Sequence, residues 1–365
     1  MTTKITTAMF MALVINLGFA KGIGLTQGIM ARESENDIWI ATILSVLQGA
    51  VLMLITVWVI RRRPDMTILE QFDAIVGKWI GKVMALLAFV FFLGAYIAIL
   101  ITFVYHFMDY FLPEFPVWMF VLAAVAIPVY AVFHGLEVTA RIAVLGVFSI
   151  VALNLLIMVG SLKDVELDRL LPVFETGFWN TVATTRHYDT DWAMATMTAG
   201  MILPLVNDTK SWAKGAVGGV LYGGILVLLW PILECGVLSA PQTGHYIVAC
   251  MQMARSAQVG LFLHRYEMIM IAFFGISLLV QLMLLIFCAS LAGSHVMGMK
   301  DYRGVVIPVS LILGGSGYFV VLNHNRAMSL LTNNWPVIAL PIAIGLPLLG
   351  WLLGLMFKKK LAAAA

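Results

Sequence analysis

Charge is what this chain has least of. Only 11% of its 365 residues are Asp, Glu, Lys or Arg, against about 25% in a soluble domain, while 62% are hydrophobic. That leaves no room for a soluble domain and makes the chain an integral membrane protein. Cysteine is scarce as well: Cys235, Cys250 and Cys288 make no disulfide framework. No metal-ligand spacing, phosphate loop or nucleophile arrangement occurs. Enzyme chemistry has no residues to stand on, and no cofactor, metal or nucleic-acid partner is expected. Lys4 is followed by apolar residues without a small-residue cleavage site, which reads as the lead-in to a retained helix.

Apolar runs fill the rest. A spanning helix needs about 20 apolar residues. Ten candidates follow: Ala8–Met30, Ile38–Ile60, Val83–Leu112, Val117–Phe133, Leu136–Ser161, Trp192–Val206, Val217–Leu238, Met268–Leu291, Val305–Leu322 and Val337–Phe357. They form one all-α transmembrane domain over residues 1–360, and residues 361–365 read as an appended tail. An even count puts both termini on one side. That side holds 14 of the 22 Lys and Arg, in the segments around Lys4, Arg61 to Lys82, Arg141, Lys210, Lys300 and Lys358; the other holds seven. The excess of basic residues predicts cytoplasmic termini and an outward-facing acidic loop from Asp164 to Asp189. Met66–Lys82 and Tyr246–Leu263 carry apolar residues at helical spacing, which predicts interfacial amphipathic helices.

Lys21 stands near the middle of the first span, inside Gly18-Phe-Ala-Lys21-Gly22-Ile23-Gly24. An ionisable residue at membrane depth marks a functional site by default. The sixth span is short and holds Gly200 and Pro204. Interrupted helices at corresponding places in the two halves predict an inverted five-plus-five repeat, about 8–161 and 192–357, with discontinuous helices one and six and a site at the repeat interface.

Four stretches in order carry a resemblance: Gly77 to Lys82 with Phe92-Leu93-Gly94, Asp164 to Val173, Gly260 to Glu267, and Lys300-Asp301-Tyr302-Arg303. With them the chain resembles the spore germination permease family, the B-type membrane subunit of nutrient germinant receptors. That family belongs to the amino acid–polyamine–organocation superfamily and has a leucine-transporter-like fold. The resemblance implies a nutrient-sensing subunit of a germinant receptor in the spore inner membrane. Its partners are a small nutrient such as an amino acid, a larger membrane subunit, a lipoprotein and the lipid bilayer. A stand-alone amino-acid transporter working by alternating access uses the same fold and pocket. The chain departs from the family at Lys21, where a small residue is usual, and at Thr198, where many members have glutamate. Substrate identity is therefore not carried over.

The resemblance turns Gly22, Ile23 and Gly24 into the expected unwound turn, whose free N–H groups would take a ligand carboxylate. Glycines that simply pack helices closely are the plain alternative. Thr196, Thr198 and Gly200 would offer unwound carbonyls to a ligand ammonium, or their hydroxyls bond their own helix. Tyr96, Ser277 and Gln281 are polar in mid-membrane and either reach the ligand or bond across helices. Glu137 and Arg141 pair on one helix face. Lys21 is expected to serve as a built-in cation against helix eight near Ser277, to touch the ligand from an open cavity, or to be structural. The cation role implies ligand binding without sodium.

Overall fold

The computed structural model describes residues 4–257, 266–357 and 360–361. Each of the ten predicted spans corresponds to a helix. Span one is α1 (Thr7–Lys21), a π-helical segment Gly22–Thr26 and α2 (Gln27–Ser34). Span two is α3 (Ile38–Arg61). The Arg61 connection leads to α4 (Ile68–Val76), and Gly77 separates it from span three, α5 (Lys78–Tyr110). Spans four and five are α6 (Val117–Phe133) and α7 (Leu136–Ser161). A short α8 (Phe178–Thr184) precedes span six, α9 (Arg186–Ile202), which passes into a 3-10 turn at Leu203–Leu205. Span seven is α10 (Trp212–Leu238), followed by α11 (Ala240–His245) and α12 (Ala249–Ser256). Spans eight and nine are α13 (Tyr266–Met297) and α14 (Arg303–Val321). After α15 (His324–Ser329) and a second π turn, α16 (Trp335–Met356) is span ten.

The packing repeats when helices are shifted by five. Span one packs on spans seven and five, α10 and α7; span six packs on spans two and ten, α3 and α16. Likewise α5 meets α6 as α13 meets α14, and α13 meets α6 as α14 meets α5. Five crossings per half is an odd number, so the second half crosses in the opposite sense to the first.

Two elements differ from expectation. The inner amphipathic helix stops at Val76 because Gly77, at φ 91°, breaks the chain direction. Lys78 to Lys82 then open α5, which at 33 residues is about 50 Å long. Thr67 and Glu70 form a reciprocal capping box that starts α4, and α4 packs under α5, α16 and α9. On the other side, α12 is buried at Cys250, Met251, Met253 and Ala254. Apolar residues on several faces draw it into the bundle, where it packs on α13, α10 and the π segment. Residues 258–263 of that predicted helix, and the Gly260 to Arg265 part of its motif, lie outside the described residues.

The chain ends share one face of the bundle. Ile5 N–H donates to Leu205 O at 2.9 Å and Asn207 N–H to Ile5 O at 2.9 Å. Arg63 donates to Leu361 O at 2.8 Å. The N-terminus, the end of span six, the Arg61–Arg63 connection and the C-terminal segment therefore lie together.

Candidate ligand-binding site

Helix one owes its course to glycines. A Cβ at Gly22 would stand 2.5 Å from Tyr188 Oη, and one at Gly24 would stand 2.8 Å from His106 Cε1. Only glycine admits these neighbours from α9 and α5 so closely. Over the same stretch the backbone widens to a π turn, a feature that recurs at functional sites. The wider turn brings Lys21 and Thr26, five residues apart, to one face, with Nζ 3.1 Å from Thr26 Oγ1.

Lys21 is only 4% exposed. Its ammonium donates to Asp191 Oδ1 at 2.7 Å and to Thr190 Oγ1 at 3.4 Å. Thr26 Oγ1 in turn donates to Asp191 Oδ2 at 3.3 Å. An ammonium has three donors, and Thr26, Thr190 and Asp191 take all three. Lys21 is therefore a fully satisfied cation that ties helix one to helix six.

This corrects the expected contact with helix eight. There, Ser277 Oγ donates to Asn16 O at 3.3 Å, and Gln281 Nε2 donates to Asn16 O at 2.7 Å and Leu17 O at 3.0 Å. A neutral amide, not Lys21, bridges helices one and eight. Asp191 was missed because its charge placed the start of span six at Trp192, whereas α9 begins at Arg186. Asp189, assigned to the outer loop, is likewise in α9 and accepts from Ser45 Oγ at 2.7 Å.

The remaining expected site residues divide. Gly22, Ile23 and Gly24 lie in the buried π segment beside Lys21. They are not an unwound turn, so their backbone does not supply the free N–H groups expected. Thr196, Thr198 and Gly200 sit in unbroken α-helix, and helix six changes geometry only at Leu203–Leu205. Thr196 Oγ1 donates to Trp192 O at 2.9 Å, Thr198 is buried, and a Cβ at Gly200 would meet Ile68 of α4 at 3.4 Å. Tyr96 Oη donates to Ala124 O at 3.0 Å, holding α5 to α6. Glu137 and Arg141 pair as expected, with Nε–Oε1 3.1 Å.

Three buried polar side chains, linked to one another through Tyr188, were not anticipated. Gln27 and Tyr188 are buried and lie within side-chain hydrogen-bonding reach of each other; beyond that contact, neither has a hydrogen-bond partner among the described residues. Tyr188 lies within electrostatic reach of Asp191 and of Glu234 on α10. Glu234 is fully buried, and neither carboxylate oxygen has a partner among the described residues. Buried polar atoms are nearly always paired, so this concentration marks a place built to hold something polar.

The cluster is covered on both sides. Towards the end of the bundle opposite the chain termini, His106 Nδ1 lies 2.7 Å from Thr102 O and its ring stacks on Phe274. Cys250 Sγ is 3.6 Å from His106 Nε2 and 3.9 Å from Gly24 O. Beyond α12 lies a cavity of about 360 Å³ lined by Asp109, Tyr110, His245, Val248 and Arg255. Tyr110 Oη donates to Val248 O at 3.4 Å. At the opposite side, α4 closes beneath Gly200. Among the described residues no group of three His, Cys, Asp or Glu side chains could hold a metal ion.

A membrane bundle of ten helices in two halves, with a buried polar cluster where helix one meets helix six, has the leucine-transporter fold. Comparison with known proteins agrees. The sequence profile described as spore germination protein matches residues 4–319, and the chain belongs to the spore germination permease family. Spore germination protein YndE of Bacillus subtilis (strain 168) is 26% identical over 324 residues, covering 86% of this chain and 87% of that protein. Among solved structures, MhsT in complex with L-phenylalanine matches with TM-score 0.68 at 12% identity, covering 99% of this chain and 92% of that one. A Na+-coupled sialic acid symporter in a substrate-bound outward-open state matches with TM-score 0.67 at 11% identity, over 95% and 79% of the two chains. At such identities the structures establish the fold alone. The chain is thus a multi-pass membrane protein of the spore germination permease family.

Proposed function

We propose that this chain is the membrane-embedded nutrient-sensing subunit of a spore germinant receptor, and that it binds an amino acid beside the π segment of helix one. The observation that carries the reading is the buried polar set Gln27, Tyr188 and Glu234, joined through Tyr188 to the Lys21–Asp191 pair, with both Glu234 oxygens unpartnered among the described residues. Polar groups at membrane depth persist where they serve a ligand or a pathway. Family membership supports the sensing role, and with it a larger membrane subunit and a lipoprotein as partners and a place in the spore inner membrane. The amino-acid ligand of MhsT, on the same fold, supports the ligand class.

Thermal-shift measurements on the purified chain against the twenty amino acids test this reading. A ligand bound only by the folded state raises the melting temperature. At least one amino acid is expected to do so, and the shift is expected to vanish in Tyr188→Phe combined with Gln27→Leu. No shift with any amino acid would overturn the ligand class. The fold shared with a sialic acid symporter favours a second reading, a stand-alone transporter. Uptake of the labelled ligand by proteoliposomes holding this chain alone would select that reading; binding without uptake selects the sensor.

A further inference from the structure

We propose that Glu234 is the receptor for the ligand's ammonium group, an inference that rests on the ligand site lying beside the π segment. Hydrogen-bonding capacity decides it. In the cluster, Lys21 and Asp191 satisfy each other, with Thr26 and Thr190 taking the remaining positions. Lys21 keeps no donor for a ligand group, and each Asp191 oxygen already accepts one hydrogen bond while the ammonium balances its charge. The unused capacity is unevenly shared. Glu234 on α10 offers two carboxylate oxygens, which only accept when ionised, and none of its lone pairs is used. Gln27 on α2 offers an amide NH2 and Tyr188 on α9 a hydroxyl, and both can donate. One wall of the site is therefore an acceptor that calls for a donor, while the other supplies donors.

Charge points the same way. The side chains within electrostatic reach of Glu234 among the described residues include Tyr188, Cys235 and Cys250, none of them a cation. No ion pair to Glu234 occurs among the described residues. A carboxylate buried inside the bundle without a partner is costly. A primary ammonium compensates it with a charge-assisted hydrogen bond. The helix carrying Glu234 also packs directly on the π segment, so the acceptor and the helix-one wall share one space. A zwitterion would lie with its ammonium on α10 and its carboxylate against Gln27 and Tyr188. This orientation puts the ammonium on helix seven, not on the helix-six carbonyls, which are engaged in α-helix.

The test compares three matched probe sets on the full purified chain: the twenty amino acids, the 2-hydroxy acids that replace their ammonium by hydroxyl, and the amines that lack their carboxylate. Affinities are read from the concentration dependence of the melting temperature. The unmodified chain is expected to bind its best amino acid at least tenfold more tightly than the matching hydroxy acid. In Glu234→Gln the amino acid is expected to weaken tenfold or more and the hydroxy acid to stay within about twofold, so that the preference disappears. Glu234→Asp, which keeps the charge but withdraws it by one methylene, is expected to weaken amino acids and amines together. The unliganded melting temperature shows whether each variant folds. If neither does, the amino-acid against hydroxy-acid ratio in the unmodified chain decides. Equal affinity for the two in that chain, or an unchanged amino-acid affinity in folded Glu234→Gln, would overturn the proposal. Binding of amines without amino acids would support the ammonium site while removing the amino-acid reading. Binding of neither would remove both.

Discussion

At the scale of single side chains, the Lys21–Asp191 pair governs how helix one sits on helix six. Its side chains are 5% and 0% exposed, with Nζ and Oδ1 2.7 Å apart. Removing one partner of such a pair leaves an uncompensated buried charge, which costs about 3–5 kcal/mol. Lys21→Met and Asp191→Asn are each expected to lower stability on that scale, seen as a large fall in melting temperature. Replacing both, as in Lys21→Met with Asp191→Asn, is expected to recover much of the loss, because no charge is then stranded. Melting curves for the four species form a double-mutant cycle; additive losses would show that the pair does not act as a unit. Lys21 was legible from sequence because it interrupts an apolar run. The same reasoning applies to Glu234, but Glu234 stands near the end of its span, where a charged side chain is easily read as interfacial. Asp191 was hidden by its neighbours Arg186, Asp189 and Thr190, whose polarity makes the first turns of α9 look like loop.

At the scale of elements, the interruption of helix one is a change of helical pitch. The glycine-rich stretch was legible because glycine weakens a helix, but sequence does not distinguish an unwound turn from a π turn. The distinction has consequences. With its backbone still helical, the segment presents side chains and close approach to the ligand, and its N–H groups stay engaged. Gly22→Ala is therefore expected to push the buried Tyr188 ring aside, because its Cβ would stand 2.5 Å from Oη and 2.9 Å from Cζ. Displacing that hydroxyl is expected to weaken ligand binding about tenfold. Gly200→Ala meets Ile68 at ordinary contact distance and is expected to leave binding within about twofold. Thermal-shift titrations of both variants check this; the opposite ranking would return the site to helix six. Between helices one and eight, the Gln281 amide holds the Asn16 and Leu17 carbonyls. Carbonyls already bonded to an amide do not call for a cation. Ligand affinity is expected to be equal in sodium chloride and potassium chloride, and a strict requirement for sodium would show that these carbonyls serve an ion after all.

At the scale of the whole molecule, hydropathy carried most of the architecture. Water is excluded from the bilayer core, so each crossing has to be a helix that satisfies its own backbone, and each leaves a long apolar run. What hydropathy could not place were the elements that do not cross. The short helices α4 and α12 look amphipathic in sequence, yet both pack against several helices of the bundle, α4 on α5, α16 and α9 and α12 on α13, α10 and the π segment. The same geometry links the ends of the chain. Ile5 pairs with Leu205 and Asn207, and Arg63 reaches Leu361, so the N-terminus, the Arg61–Arg63 connection and the C-terminal segment belong to one membrane side. That side carries the larger share of basic residues, and it is therefore expected to face the cytoplasm. Asp65 and Glu166 are exposed and lie in connections assigned to opposite sides. With the buried Cys235, Cys250 and Cys288 replaced, a single cysteine at Glu166 is expected to react with an impermeant thiol reagent applied outside intact cells. A single cysteine at Asp65 is expected to react only after the membrane is opened. Labelling of both from outside would overturn the ten-crossing arrangement, and a reversed pattern would keep the fold while inverting its orientation.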